Sequence, residues 1–230
     1  MKKLLGVLGG MGPRASAEFI GTIYALRSEP EEQCFPPCVL YSDPTIPDRT
    51  TAIRQGDEAI VLERLTQALE ALCNIPVEKV VIACVTSHYF VPKLPASLRQ
   101  KVISLVDIIV AEVRDAGRRH LLLCTNGVRQ VRLFENDPHW PSFGQWIVFP
   151  DPEDQQRIHE FIYRLKTSGF DESMFDTFAA LGSRYEVDSF VMGCTELHGI
   201  SMRLRTLAGC PRYGLVDPLF SIAKQIERYI

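Results

Sequence analysis

The sequence predicts an α/β protein made of two similar parallel-sheet halves related by a pseudo-twofold axis, and three observations predict it. Short apolar runs of strand length alternate with longer segments whose apolar residues recur at helical spacing. The landmarks of the first half return in the second half in the same order. Asp43-Pro44 and Asp151-Pro152 close an apolar run. Cys84 and Cys194 follow the next one, with His88 and His198 four residues further on. Leu-Val-Asp then recurs, ending at Asp107 and Asp217, equally far beyond the two cysteines. Finally, both cysteines leave a strand-like run, VVIA before Cys84 and SFVMG before Cys194. A duplicated α/β unit accounts for all three.

The elements follow in order. LLGVL (4–8) reads as a strand that breaks at GGMGP. A helix is expected from about 14 to 27, because Phe19, Ile20, Ile23 and Tyr24 share a face. CVLYS (38–42) is the second strand. AIVLERLTQALEALC (59–73) is an amphipathic helix stopped by Asn74 and Pro76. VVIA (80–83) is the third strand. The second half gives strands HLLLC (120–124) and QWIVF (145–149), helices over about 153–166 and 171–185, and the strand SFVM (189–192). A last helix is expected within 218–230.

A chain of 230 residues with 46% hydrophobic and 23% charged residues can bury a core without staples. Its net charge of −3 provides no electrostatic footprint for nucleic acid or an anionic membrane. The apolar run after Met1-Lys2-Lys3 is too short for a signal-peptide core or a membrane span. The expected location is therefore cytoplasmic, with the seven cysteines as free thiols. Cys34 and Cys38 have no second pair at ligand spacing, so no metal site is expected. Cys73, Cys124 and Cys210 read as packing residues.

Cys84 and Cys194 read otherwise, because each opens the equivalent loop of a repeat. Ligands of open α/β sheets sit outside the carboxyl ends of strands. Two halves facing each other would bring both cysteines to one small molecule from opposite sides. A thiolate and a thiol on opposite faces of one carbon can remove a proton from one face and deliver one to the other. That is stereoinversion, which requires no cofactor. A cysteine at a helix start should also have a lowered pKa, since orphan N–H groups favour the thiolate. Ser87 or Thr86 is placed to cap the first such helix, and Thr195-Glu196 suits the first turn of the second. His88 and His198 read as residues that orient these loops, and His198 is the better placed of the two to touch a proton. Asp107 and Asp217 read as N-caps, and His139 and His159 as solvated surface residues.

GGMGP (9–13), IPDR (46–49), Cys-x-Thr-x-His (84–88), Thr125 after the fourth apolar strand and GCTEL (193–197) together resemble the aspartate/glutamate racemase family. The likeness runs from the first strand to Leu-Val-Asp-Pro near the C-terminus. It implies two α/β domains with the site between them: residues 1–102 plus 213–230, with a C-terminal helix returning to the first domain, and residues 103–212. It also implies Cys84 and Cys194 as the proton-transfer bases of a cofactor-independent racemase of aspartate or glutamate. Met11, Gly12, Thr86, Thr125 and Thr195 would hold the α-carboxylate and amino group, at a site that also includes position 85. Arg49 would pair with the distal carboxylate, and Lys166 is a second candidate for that task. Glu196, His88 and His198 would stand behind these residues. A homodimer is typical of proteins of this kind.

The chain departs from the family pattern in two places. Val85 stands where the family usually has asparagine, and Val128 where it has threonine. These changes point to a less polar substrate, to weaker activity or to compensation by another group such as Asn126. Lys166 also looks one residue out of register against Ser168-Gly169. Two other classes stay open: a one-cysteine decarboxylase, isomerase or hydrolase acting with His88 or His198, and a binding module on the same fold. GGMGP is not the G-x-G-x-x-G fingerprint, so a dinucleotide is not expected.

Overall fold

The computed structural model of the chain describes residues 3–170, 174–206 and 213–230. In the first domain, β1 (Leu4–Gly9), β2 (Cys38–Ser42), β3 (Val77–Ile82) and β4 (Val102–Ile103) form a sheet of order β2-β1-β3-β4. In the second, β5 (His120–Cys124), β6 (Ile147–Val148), β7 (Ser189–Gly193) and β8 (Gly214–Val216) repeat that order as β6-β5-β7-β8. Every pairing is parallel. The helices are α1 (Pro13–Ala25), α2 (Arg49–Gln55), α3 (Glu58–Cys73), α4 (Ala96–Arg99), α5 (Leu105–Ala116), which links the two sheets, α6 (Asn126–Gln130), α7 (Trp140–Phe143), α8 (Pro152–Ser168), α9 (Met174–Tyr185), α10 (His198–Thr206) and, after the last strand, α11 (Pro218–Lys224). Among the described residues no helix is long and apolar enough to cross a membrane.

Alternation along the strands divides the interior into three apolar clusters. Leu5, Val7 and Val81 of the first sheet join Leu122 and Val191 of the second in a central cluster with Phe19, Ile109 and Leu219. Leu8, Val80 and Ile82 face the other way, onto Leu65, Leu69 and Leu72 of α3. Leu121, Leu123 and Phe190 face Ile158, Phe161 and Ile162 of α8. The shared central cluster holds the two sheets to each other. Each fully buried Leu, Ile, Val or Phe there contributes about 1.5–3 kcal/mol.

Several boundaries differ from the sequence expectation, for local reasons. QWIVF shrinks to Ile147–Val148 because Gly144–Trp146 wind into a 3₁₀ turn. The third strand starts earlier, at Val77. The C-terminal helix stops at Lys224 and a 3₁₀ turn, Ile226–Arg228, follows. β4 and β8, with two and three residues, are too short to show a period. β8 pairs with β7, so residues 214–216 extend the second sheet, not the first domain as expected. The helix α11 beyond it packs on α1 of the first domain and on α5. Residues 171–173 of the expected helix 171–185, and Cys210, lie outside the described residues; the six described cysteines are free thiols.

The two Leu-Val-Asp sites part company at their caps. Asp217 caps α11, accepting from the N–H groups of Leu219 (3.1 Å) and Phe220 (3.2 Å). Asp107 does not cap α5. Ser104 does, accepting from the Asp107 N–H at 3.0 Å, and Asp107 sits in the first turn.

His120 opens β5 with 1% exposure, and burial pushes its imidazole down to about 4. Ser189 Oγ, 2.7 Å from Nδ1, donates onward to the Gly214 carbonyl, so Nδ1–H donates to it and Nε2 stays bare. The unfolded chain therefore binds the extra proton more readily. Stability is complete above the ordinary value of 6.5 and is lost as pH falls towards about 4. Thermal melts of His120→Leu between pH 7 and pH 4 are expected to fall less steeply than wild type, with a difference on the order of 1–3 kcal/mol at the acid end.

Candidate active site

The loops after β1, β2 and β3 meet those after β5 and β7 at the carboxyl ends of the two sheets. Gly10, at φ +91°, makes the first turn possible, since a side chain there would strike the Asp43 backbone 2.2 Å away. Pro13 then starts α1; Met11 (2% exposed) packs in the first domain's apolar cluster, and Gly12 faces Glu196 of the second domain. A Cβ at Gly12 would lie 2.1 Å from Glu196 Oε1, so glycine lets the second domain's carboxylate approach this loop. Gly12→Ala is expected to displace Glu196 and cut turnover by about tenfold or more, leaving the circular dichroism spectrum unchanged.

Cys84 and Cys194 end their strands with 6% and 4% exposure, close enough that charge on Cys84 is felt at Cys194. Their surroundings differ. The Cys194 thiol donates to Glu196 Oε2 at 2.7 Å. Burial pushes it well above the ordinary cysteine value, and the Glu196 carboxylate adds to the rise against the opposing pull of Lys166. The lowering expected from a helix start is overturned here, because desolvation and a neighbouring carboxylate outweigh a single 3₁₀ turn, Thr195–Leu197. Beside Cys84 stands a cation, the Arg49 guanidinium. Burial lowers the Arg49 pKa, but the charges of Cys84 and Asp48 more than restore it, leaving it raised.

Arg49 is 5% exposed and already committed. Its Nη1 donates to the carbonyls of Ile46 (3.3 Å) and Pro47 (2.9 Å), and Nη2 to that of Met11 (2.7 Å). The fork expected to grip a carboxylate is thus largely spent on the backbone, and only the buried Nε lacks a partner. Lys166, whose register looked wrong, does reach the site. Its Nζ lies 3.6 Å from Asp48 Oδ2 and 4.1 Å from the Tyr163 ring centre. Burial pulls Lys166 down, and the charges of Glu196 and Cys194 lift it to a net rise. Asp48 caps α2 and also accepts from Tyr163 Oη at 2.8 Å. Against the cost of burial, Lys166 and these donors hold its carboxyl down at about 2.

The threonines sew the domains together. Thr86 and Thr125 share a hydroxyl–hydroxyl bond of 3.1 Å, and Thr195 Oγ1 donates to the Ala83 carbonyl at 3.0 Å. Neither Thr86 nor Ser87 caps a helix, since the segment after Cys84 is a 3₁₀ helix beginning behind Val85 without a side-chain cap. Ser87 Oγ donates to Met11 Sδ at 3.2 Å. Val85 and Val128 lie in the central apolar cluster, 0% and 1% exposed. The Asn126 amide is taken up by Gln155 and Gln156 of α8.

Both histidines are locked in place. His88 Nδ1 lies 3.0 Å from the Cys84 carbonyl and Nε2 accepts from the Leu105 N–H at 3.0 Å, and burial lowers its pKa. A neutral ring with Nδ1 protonated satisfies both contacts. His198 holds Asp217 at 2.8 Å through Nδ1 and Thr22 at 2.9 Å through Nε2. His139 is exposed as expected, but His159 is half-buried, its ring 4.3 Å from that of Tyr163. Asp48 and Tyr163 escaped the sequence reading. Asp48 adjoins Arg49 in IPDR, but nothing in the sequence pairs Tyr163 with it.

A wide cavity of about 820 Å³, lined by Arg118, Trp146, Gly182 and Tyr213, lies at the opposite, amino end of the second sheet. It touches none of these residues.

The family model for Asp/Glu/hydantoin racemases matches residues 8–226. The chain belongs to that family. The racemase is 21% identical over 206 residues to the broad specificity amino-acid racemase RacX of Bacillus subtilis, covering 86% of this chain and 87% of that one. Its fold is similar to that of the Picrophilus torridus aspartate racemase, with TM-score 0.82, 22% identity, and 99% and 94% of the two chains covered. An aspartate racemase homologue from Pyrococcus horikoshii aligns with TM-score 0.66, 20% identity, and 100% and 99% coverage.

Proposed function

We propose that this racemase inverts the α-carbon of a free amino acid by two-base proton transfer between Cys84 and Cys194. The observation that carries the reading is the pairing of these buried thiols at equivalent strand ends of a repeat. In one direction Cys84, with the Arg49 cation beside it, takes the α-proton. Cys194, which holds its proton firmly, delivers one to the opposite face. The buried, unpartnered Arg49 Nε leaves one donor for the substrate's carboxylate.

Aspartate or glutamate is the proposed substrate class. Lys166 supports it, because its 3.6 Å separation from Asp48 is longer than a direct hydrogen bond, so a distal carboxylate can compete for the ammonium group. The less polar alternative draws on the valines only indirectly, since both pack in the apolar core. A one-cysteine hydrolase or decarboxylase is less well supported, as neither histidine has a ring nitrogen free to serve a thiol.

The test is proton NMR in D₂O without added cofactor, using L-aspartate, L-glutamate and L-alanine. Loss of the α-proton signal with appearance of the D enantiomer is expected for the acids. Inversion of alanine alone would move the substrate to the neutral class, and no exchange with any of them would count against the racemase reading.

A further inference from the structure

The duplication puts different chemistry two residues beyond each cysteine: Thr86 after Cys84 and Glu196 after Cys194. Glu196 Oε2 accepts a hydrogen bond from the Cys194 thiol at 2.7 Å, while Oε1 is buried and makes no hydrogen bond. The carboxylate also lines a cavity of about 160 Å³ in the seam between α1, the end of α8 and α10. At the mouth stand Arg14, Phe170 and the Glu18–Arg203 ion pair, whose side chains are 36% and 41% exposed. The cavity therefore connects a 9%-exposed carboxylate with the surface.

Among the described residues, no carboxylate is hydrogen-bonded to Cys84 as Glu196 is to Cys194. Thr86 spends its hydroxyl on Thr125 and is no base at neutral pH. Both ring nitrogens of His88 are engaged, and a guanidinium such as Arg49 accepts no proton.

Resting on the two-base reading, we propose that Glu196 is the proton outlet of Cys194, exchanging that thiol's proton with solvent through the seam cavity while the substrate is bound, and that Cys84 returns its proton to solvent only through the emptied substrate site, once product has left. The two halves of the repeat are then kinetically unequal. In the exchange, the Cys194 S–H bond breaks and an O–H bond forms on Glu196 Oε2. The proton passes to solvent at the cavity, and a solvent proton returns by the reverse steps. Glu196 acts through Cys194 and is a positioning and relay residue. The charges facing the pair are Lys166 from α8, Arg49 from α2, Cys84 across the site, and Glu18, Arg14 and Arg203 around the cavity.

The first measurement is a pH titration of [¹³Cβ]cysteine-labelled full-length protein by NMR. Glu196→Gln removes the neighbouring anion and the hydrogen-bond acceptor, so the Cys194 midpoint is expected to fall by about one pH unit or more, with Glu196→Asp restoring it. An unmoved Cys194 midpoint would overturn the proposal.

The second measurement follows each enantiomer of aspartate, glutamate and alanine in D₂O, reading deuterium in the recovered, uninverted amino acid. Wild type is expected to label only the enantiomer whose proton lands on Cys194, with labelling lost in Glu196→Gln and regained in Glu196→Asp. Equal labelling of both enantiomers in wild type, or one-sided labelling that survives Glu196→Gln, would refute the outlet. If no amino acid exchanges at all, the racemase reading fails, and the titration alone decides whether Cys194 and Glu196 share a proton.

Discussion

Alanine at Cys84, and separately at Cys194, is expected to abolish net racemisation, lowering kcat/KM by about 10²–10⁴-fold or more. In the proposed two-base reaction each thiol serves one face of the substrate carbon, so neither can replace the other. Cys84→Ala, which keeps Cys194 and its Glu196 outlet, should still exchange the α-proton of the one enantiomer that faces Cys194, returning it uninverted, whereas Cys194→Ala should return both enantiomers unlabelled. That half-reaction separates two-base chemistry from its rivals. A one-cysteine hydrolase or decarboxylase would lose activity in one variant only, and a binding module would keep its ligand affinity in both. Removing one buried sulfur costs on the order of 1 kcal/mol, so both variants are expected to remain folded, as a thermal melt will show.

Arg49→Met is expected to have the second largest effect, acting on stability and turnover together. The carbonyls of Met11, Ile46 and Pro47 would lose a buried charged donor, and Asp48 its neighbouring cation. Destabilisation of about 3 kcal/mol or more follows from unsatisfied buried groups and a broken charge network, measurable by urea titration. Turnover should fall by about 10²-fold even well below the melting temperature, because the Met11-Gly12 loop loses its anchor and Cys84 its positive neighbour. Arg49→Lys should recover only part of the stability, since one ammonium group cannot reproduce a planar guanidinium that donates from two nitrogens. A variant with full stability and full turnover would show that the three carbonyl bonds are incidental.

Much of this fold can be read along the chain. The long helices α1, α3 and α8 carry enough turns to show their period, β1, β2 and β7 are apolar runs that meet glycine or proline at an end, and β5 is a short apolar run. β4 and β8 are too short to announce themselves, so the expected domain boundary missed β8's place beside β7. In the site, Cys84, Cys194 and Arg49 are legible because they sit in fixed loops after strands. Lys166 and Tyr163 are harder to see, because they project from α8, where a helix period tells which face is buried but not which neighbour it meets.

By itself the sequence determined that this is a duplicated parallel α/β chain with a cysteine at the end of the third strand of each half. Those features depend on local periodicity and on turn residues, which act over a few neighbouring positions. Only the tertiary structure decided that the two cysteines are unlike. It placed Arg49 beside Cys84 and the Glu196 carboxylate on Cys194, turned Arg49's donors onto the backbone and set Lys166 against Asp48. The reason is physical: burial and neighbouring charge fix what a thiol can do, and both come from residues distant in the chain.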